Sequence, residues 1–113
     1  MVKSSQRKEP RYSVPVHGIV ISVEVFVDDQ RYVGQLWDVS RSGACLRLFM
    51  AVPIAVRARI RIHEPSERMV IETNAQLIWI NQVMGAYYLG MSFDQPIDLA
   101  STFLSPLLQN FGR

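Results

Sequence analysis

The chain of 113 residues has one cysteine, Cys45, and two histidines, His17 and His63. A single thiol excludes an intramolecular disulfide and agrees with a reducing compartment. His17, His63 and Cys45 show no metal-ligand spacing, so a zinc site is not expected. No acid/base pair, and no nucleophile beside a base, can be assigned, which makes an enzyme the weakest class of function. Long apolar runs are missing too. The longest uncharged stretch, Thr73 to Phe93, carries Asn74, Gln76, Asn81 and Gln82 and alternates like two strands rather than a membrane helix. The start of the chain is polar, charged and interrupted by prolines, unlike a signal peptide. The expected location is the cytoplasm, for a free domain or the cytoplasmic portion of a larger protein. Neither sign of charge dominates: 12 basic against 10 acidic residues leave a net +2, a field that favours an anion only where cations cluster. No internal repeat or low-complexity segment is present.

What is there is a globular composition, 49% hydrophobic and 19% charged, of a length that supports one core. Residues 1–17 hold Pro10 and Pro15 with no sustained period, and read as a flexible arm; order is expected from Gly18. In Ile19 to Val27 the odd positions are all β-branched and apolar, the mark of a half-buried strand. Asp28-Asp29-Gln30 is a polar turn, after which Arg31 to Val39 returns as the partner of a hairpin. Ala44 to Phe49 is extended until Pro53 breaks it. Val56, Ala58, Ile60 and Ile62 then alternate with Arg57, Arg59, Arg61 and His63, the clearest period-2 signal in the chain. Met69 to Ile80 and Ala86 to Phe93 add two strands around Asn81–Gly85. Six short strands argue for a sandwich or barrel. In the tail, Ala100, Phe103, Leu104, Leu107, Leu108 and Phe111 fall on one helical face, with Asp98 as N-cap, Gly112 as stop and a kink at Pro106.

Two short motifs carry the chemistry. Arg7 and Arg11 lie four positions apart in Arg7-Lys8-Glu9-Pro10-Arg11, and Asp38-Val39-Ser40-Arg41-Ser42-Gly43 follows at a strand end. A guanidinium is a flat fork that pairs with phosphate oxygens or with guanine O6 and N7, and its face stacks on a purine. An ionised carboxylate such as Asp38 only accepts, and can take two hydrogen bonds from the donors of a guanine edge. Ser40 can donate to a phosphate or to N7, or accept from a local amide. Gly43 allows positive φ and close backbone approach, and the amides around Arg41 to Ala44 suit an anion nest.

The joint order of Arg-x-x-x-Arg and Asp-x-Ser-x-x-Gly closely resembles the PilZ family of cyclic di-GMP receptors. The resemblance extends to Pro10, the hydrophobic strand between the motifs, and the later Trp79, Gly85, Leu89-Gly90 and Phe93, spanning Gln6 to about Phe103. It implies an all-β fold: a six-stranded antiparallel β-barrel (residues 18–113) with a flexible N-terminal arm (residues 1–17) and a C-terminal α-helix, binding cyclic di-GMP at its rim. The family's ligand residues map onto Arg7, Arg11, Asp38, Ser40 and Gly43. Gln6 sits where members differ in binding one nucleotide or a stacked pair. Lys8 can add a phosphate contact and Arg41 belongs to the candidate nest. Trp79 stands where some members place an aromatic against a guanine, although its apolar series from Met69 to Leu77 equally suits a core or rim tryptophan. The implied function is a non-enzymatic sensor that needs no cofactor, binds one or two cyclic di-GMP per chain, and acts on a protein effector or an attached domain. Two rivals stand beside it. One is a nucleic-acid-binding barrel using the Arg57 to His63 stripe; the other is a protein-interaction barrel docking through Phe103, Leu107 and Phe111. The receptor reading predicts neither nucleic acid as partner nor a membrane span. Cys45, in an extended apolar segment, is expected to be buried rather than nucleophilic.

Overall fold

Alternation of β-branched and polar residues builds the sheet. The structure, a computed structural model, describes residues 9–15, 18–53 and 57–112. Its strands are β1 (Tyr12–Ser13), β2 (Ser22–Val27), β3 (Gln30–Val39), β4 (Gly43–Leu48), β5 (Arg57–His63), β6 (Val70–Val83) and β7 (Ala86–Phe93). All pairings are antiparallel, in the order β3-β2-β5-β6-β7-β4, and β4 returns to β3 to close a six-stranded barrel. Closure leaves no unpaired sheet edge between these strands. The inner face takes Val23, Val25 and Val27 from β2 and Ile60 and Ile62 from β5, as their alternation predicts, and adds Leu46 and Leu48 from β4 and Leu89, Met91 and Phe93 from β7.

The odd member is β1. One edge of β3 pairs with β2 until the Leu36 amide donates to the Ile21 carbonyl at 2.8 Å; from there Val14 N–H donates to Trp37 O at 3.1 Å, and Tyr12 and Ser13 face Val39 and Asp38. A two-residue strand thus precedes Gly18. The Tyr12 ring meets Phe111 edge-on with centroids 4.8 Å apart, and Gln109 N–H donates to Ser13 O at 2.9 Å. The expectations for Gln6, Arg7, Lys8 and His17 lie outside the described residues.

The C-terminal α-helix is corrected. The tail instead forms two 3-10 turns, Leu99–Ser101 and Ser105–Leu107. Thr102 between them is extended, at φ −111° and ψ 169°. Its hydroxyl donates to Leu99 O at 2.8 Å and accepts from Leu104 N–H at 3.1 Å, taking over groups a helix would pair through its backbone. Pro106, which lacks an amide, follows Ser105 in the first positions of the second turn, where that amide would have no partner. Asp98 makes no side-chain cap bond to the backbone; its Oδ2 accepts from Ser101 Oγ at 2.7 Å. Part of the apolar period survives: Leu104 and Leu108 are buried and join the barrel core, but Ala100 is exposed and Leu99, outside the expected face, is buried in its place. The β6–β7 turn is also shorter than expected. Met84 (φ 50°) and Gly85 (φ 85°) alone make it, both in the left-handed region that a two-residue hairpin turn requires.

Arg57, Arg59 and Arg61 alternate outward from the buried Ala58, Ile60 and Ile62, and acids meet them. Arg57 pairs with Asp94 and Arg59 with Glu72, while Glu24 takes Arg31, His63 (2.6 Å) and Arg61 (3.9 Å). Cross-strand pairing of this kind neutralises the stripe that phosphate binding would need free. No helix among the described residues is long and apolar enough to cross a membrane; Thr73 to Phe93 forms the facing parts of β6 and β7.

Candidate functional site

Two irregularities in the strands turn side chains outward, one into a cleft and one to its border. On β3, strict alternation from the buried Leu36 would turn Asp38 inward and Val39 outward. A bulge between Leu36 and Asp38 reverses this, so that Asp38 faces out opposite Cys45 while Val39 is buried. On β6 the expected apolar series would carry Trp79 into the core behind Leu77. A second bulge, between Leu77 and Trp79, sets Leu77 opposite Met91 and Trp79 opposite Gly90. Trp79 therefore lies on the outside, 45% exposed. Its indole rests on Gly90, where an added Cβ would lie 2.8 Å from Cδ1 and closer still to Cε2 and Nε1. A side chain at position 90 would take the space the indole occupies.

The Asp38–Gly43 turn closes by internal hydrogen bonds. Ser40 N–H donates to Gly43 O at 2.8 Å, and Ser40 Oγ accepts from Ser42 N–H at 3.3 Å. Ser40 is only 1% exposed, so its hydroxyl shapes the turn first and reaches the cleft only at its inner wall. Gly43 is not needed for positive φ, one of the two uses expected of it. Rather, a Cβ there would collide with the Met91 carbonyl of β7. The glycine lets two backbones meet at the floor of the cleft.

Arg11 leads into β1 and lies across the same turn, where Nη2 is 3.1 Å and Nε 3.3 Å from Asp38 Oδ1. Both side chains are part-exposed, 31% for Arg11 and 25% for Asp38. Beside them Ser42 Oγ donates to Glu9 Oε1 at 2.6 Å. That hydroxyl holds the Glu9 carboxyl below the usual carboxylate range against the opposing effect of burial; Ser40, Arg41 and the Ser42 amide add smaller effects of the same sign. Cys45, buried behind Asp38, has its thiol pushed up to about 11, by burial first and the Asp38 charge second, with Arg11 opposing.

Arg11, Ser40, Gly43 and Trp79, with Ser42, Ala44, Ile78 and Gly90 to Ser92, line an open cleft of about 250 Å³. Asp38 borders it through Arg11. Arg41 is not gathered here: it lines a neighbouring concavity with Pro10, Tyr12 and Ile97. Glu9, the Ser42 hydroxyl and Gly90 had no part in the candidate site read from sequence, where Ser42 entered only through its amide. Glu9 lies within the arginine motif and Ser42 within the turn motif, but their hydrogen bond spans 33 positions and leaves no local signal.

A sequence model of the PilZ domain matches residues 5–108. Among solved structures, the PilZ domain with c-di-GMP of YcgR from Escherichia coli aligns with a TM-score of 0.65 at 21% identity, over 91% of this chain and 86% of that one. The Bacillus subtilis inhibitor of motility, MotI/DgrA, aligns at 0.63 and 15% identity over 83% of this chain and 44% of that one. YcgR in complex with c-di-GMP from Escherichia coli aligns at 0.62 and 22% identity, over 90% and 42%. The chain spans less than half the length of these last two. Comparison with curated proteins gives no significant match.

Proposed function

Because the chain belongs to the PilZ domain family, we propose that it is a cyclic di-GMP receptor whose nucleotide seats in the cleft between the Asp38–Gly43 turn and Trp79. The carrying observation is convergence: an arginine fork, a glycine-opened turn with a carboxylate at its start, and a half-exposed indole come from three separate segments to one mouth, the carboxylate bordering it through its contact with Arg11. Each matches a part of the ligand. The Arg11 fork suits a phosphate or guanine O6 and N7, the carboxylate suits the guanine donors, and the indole offers a face for stacking.

The cleft of about 250 Å³ is smaller than the roughly 300–1,000 Å³ typical of sites for drug-sized ligands. It supplies one wall for a dinucleotide. The arm carrying Gln6, Arg7, Lys8 and Arg11 supplies the other by folding over the bound ligand, at an ordering cost of about 1–2 kcal/mol per residue fixed. Arg11 has to exchange Asp38 for the nucleotide in this step. Because the base of the arm already touches the tail through Tyr12 and Phe111 and through Ser13 and Gln109, the rearrangement alters a surface that a protein effector or an attached domain can read. The output is regulatory, with no chemistry on the ligand, and the site for it is on the cytoplasmic side.

Isothermal titration with cyclic di-GMP tests the reading, on wild type, Arg11→Ala and Asp38→Ala. The expected result is saturable, guanine-selective binding that both substitutions abolish or weaken strongly, with a stoichiometry of one or two. Binding indifferent to Asp38→Ala would remove the cleft from consideration. Hydrogen exchange of residues 1–17 that saturating nucleotide leaves unchanged would sink the arm's part in it.

A further inference from the structure

The three residues Glu9-Pro10-Arg11 are pinned at both ends to the turn they face. Arg11 lies on Asp38 at its start, and Glu9 accepts the Ser42 hydroxyl near its end, at 2.6 Å. Pro10, with its φ locked, keeps the two pins at a set spacing. The first contact joins opposite charges. The second puts an anion on a turn otherwise equipped to receive one from outside, since Ser42 lines the cleft and Arg41 stands next to it.

We infer that Glu9 is an affinity-setting residue of this site: its carboxylate holds the Ser42 hydroxyl that a ligand phosphate would otherwise take, and has to give way before the nucleotide seats. The inference rests on the reading of the cleft as a cyclic di-GMP site. A phosphodiester and a carboxylate are alike to this hydroxyl, because both carry one negative charge and both only accept. They cannot share it without like-charge repulsion at short range. The carboxyl is ionised at neutral pH, because Ser42 favours its charged form. The two pins therefore oppose binding in different ways: Arg11 loses a partner and gains a better one, whereas Glu9 loses its hydroxyl and remains as a negative charge beside the ligand.

The experiment compares cyclic di-GMP titrations of wild type, Glu9→Gln, Glu9→Asp and Asp38→Ala, each checked for folding by thermal unfolding. Glu9→Gln keeps the shape and an acceptor for Ser42 but removes the charge. It is expected to tighten binding about tenfold, equivalent to about 1.4 kcal/mol, and to make affinity fall more steeply with salt, since one repulsive charge is gone. Glu9→Asp keeps the charge and is expected to stay near wild type. If Glu9→Gln binds equally or more weakly while wild type binds in an Asp38-dependent way, the inference about Glu9 is overturned and the receptor reading stands; a weaker variant would place Glu9 on the guanine donors instead. If Glu9→Asp tightens as much as Glu9→Gln, release of the arm and not charge is responsible, and the inference also fails. If neither wild type nor Glu9→Gln binds, the receptor reading itself falls.

Discussion

Replacing Gly90 by alanine is the sharpest probe of how the cleft is built, because it displaces Trp79 without substituting it. The new Cβ would stand 2.8 Å from the indole Cδ1 and nearer to Cε2 and Nε1, where ordinary contacts need well over 3 Å. The indole or the backbone has to move. The indole, 45% exposed, is the softer of the two and swings outward. Overpacking in a core costs about 1–3 kcal/mol, and an outward exit puts this substitution at the low end, about 1 kcal/mol. That corresponds to a fall of about 4 °C in melting temperature for a domain near 100 residues. The cost to binding is larger. Base-aromatic stacking is worth about 1–3 kcal/mol, so the dissociation constant for cyclic di-GMP should rise about 5- to 150-fold. Calorimetric titration beside a thermal melt reads both quantities. Trp79→Ala should lose the same amount, and the double variant no more than either alone, because both act through one contact. Wild-type affinity in Gly90→Ala would refute the stacking wall; a loss of several kcal/mol in stability would refute the outward swing.

Leu104 is fully buried at the junction of the two tail turns, so Leu104→Ala should cost about 2–5 kcal/mol in urea unfolding even though no α-helix is present. Glu24 is held below its ordinary 4.5 by Arg31 first and His63 second, against the opposing effect of burial. A carboxylate with a depressed folded value stabilises fully above its unfolded value, and the contribution is lost as pH falls through the folded one. The urea midpoint should thus drop less for Glu24→Gln than for wild type between neutral pH and pH below 4.5. With its thiol pushed up to about 11, Cys45 should react slowly with iodoacetamide at mildly alkaline pH in the folded protein and rapidly in denaturant. Equal rates would place the thiol at the surface.

The strands were legible because period 2 is a local property: Val56 to His63 and Ile19 to Val27 announce which face is buried without reference to any partner. β5 and β2 accordingly appear with the expected sides inward, within a few residues of the expected ends. The tail misled for the same reason. Its apolar spacing marks some of the buried residues whatever the backbone does, and two 3-10 turns around an extended Thr102 bury Leu104 and Leu108 as a helix would have, while exchanging Ala100 for Leu99. Pro106 was a visible warning; the Thr102 hydroxyl, which caps both sides of the break, was not. In the site, the arginine and turn motifs could be read, and the stripe of Arg57, Arg59 and Arg61 could be seen. That acids neutralise this stripe depended on the neighbours that β2 and β6 bring to it.

What the amino-acid sequence determined alone is the chemistry: a guanidinium fork in the arm, Asp38 with a serine-glycine turn behind it, and apolar strands of a length to close a small barrel. These are properties of residue type and short spacing. What only the tertiary structure decided is direction. Whether Asp38 and Trp79 face the core or the cleft turns on a bulge in β3 and another in β6, and a bulge is defined by the register against a partner strand remote in the chain. Glu9 meets Ser42, and the Trp79 indole settles on Gly90, only once the barrel has closed and brought distant backbones within reach.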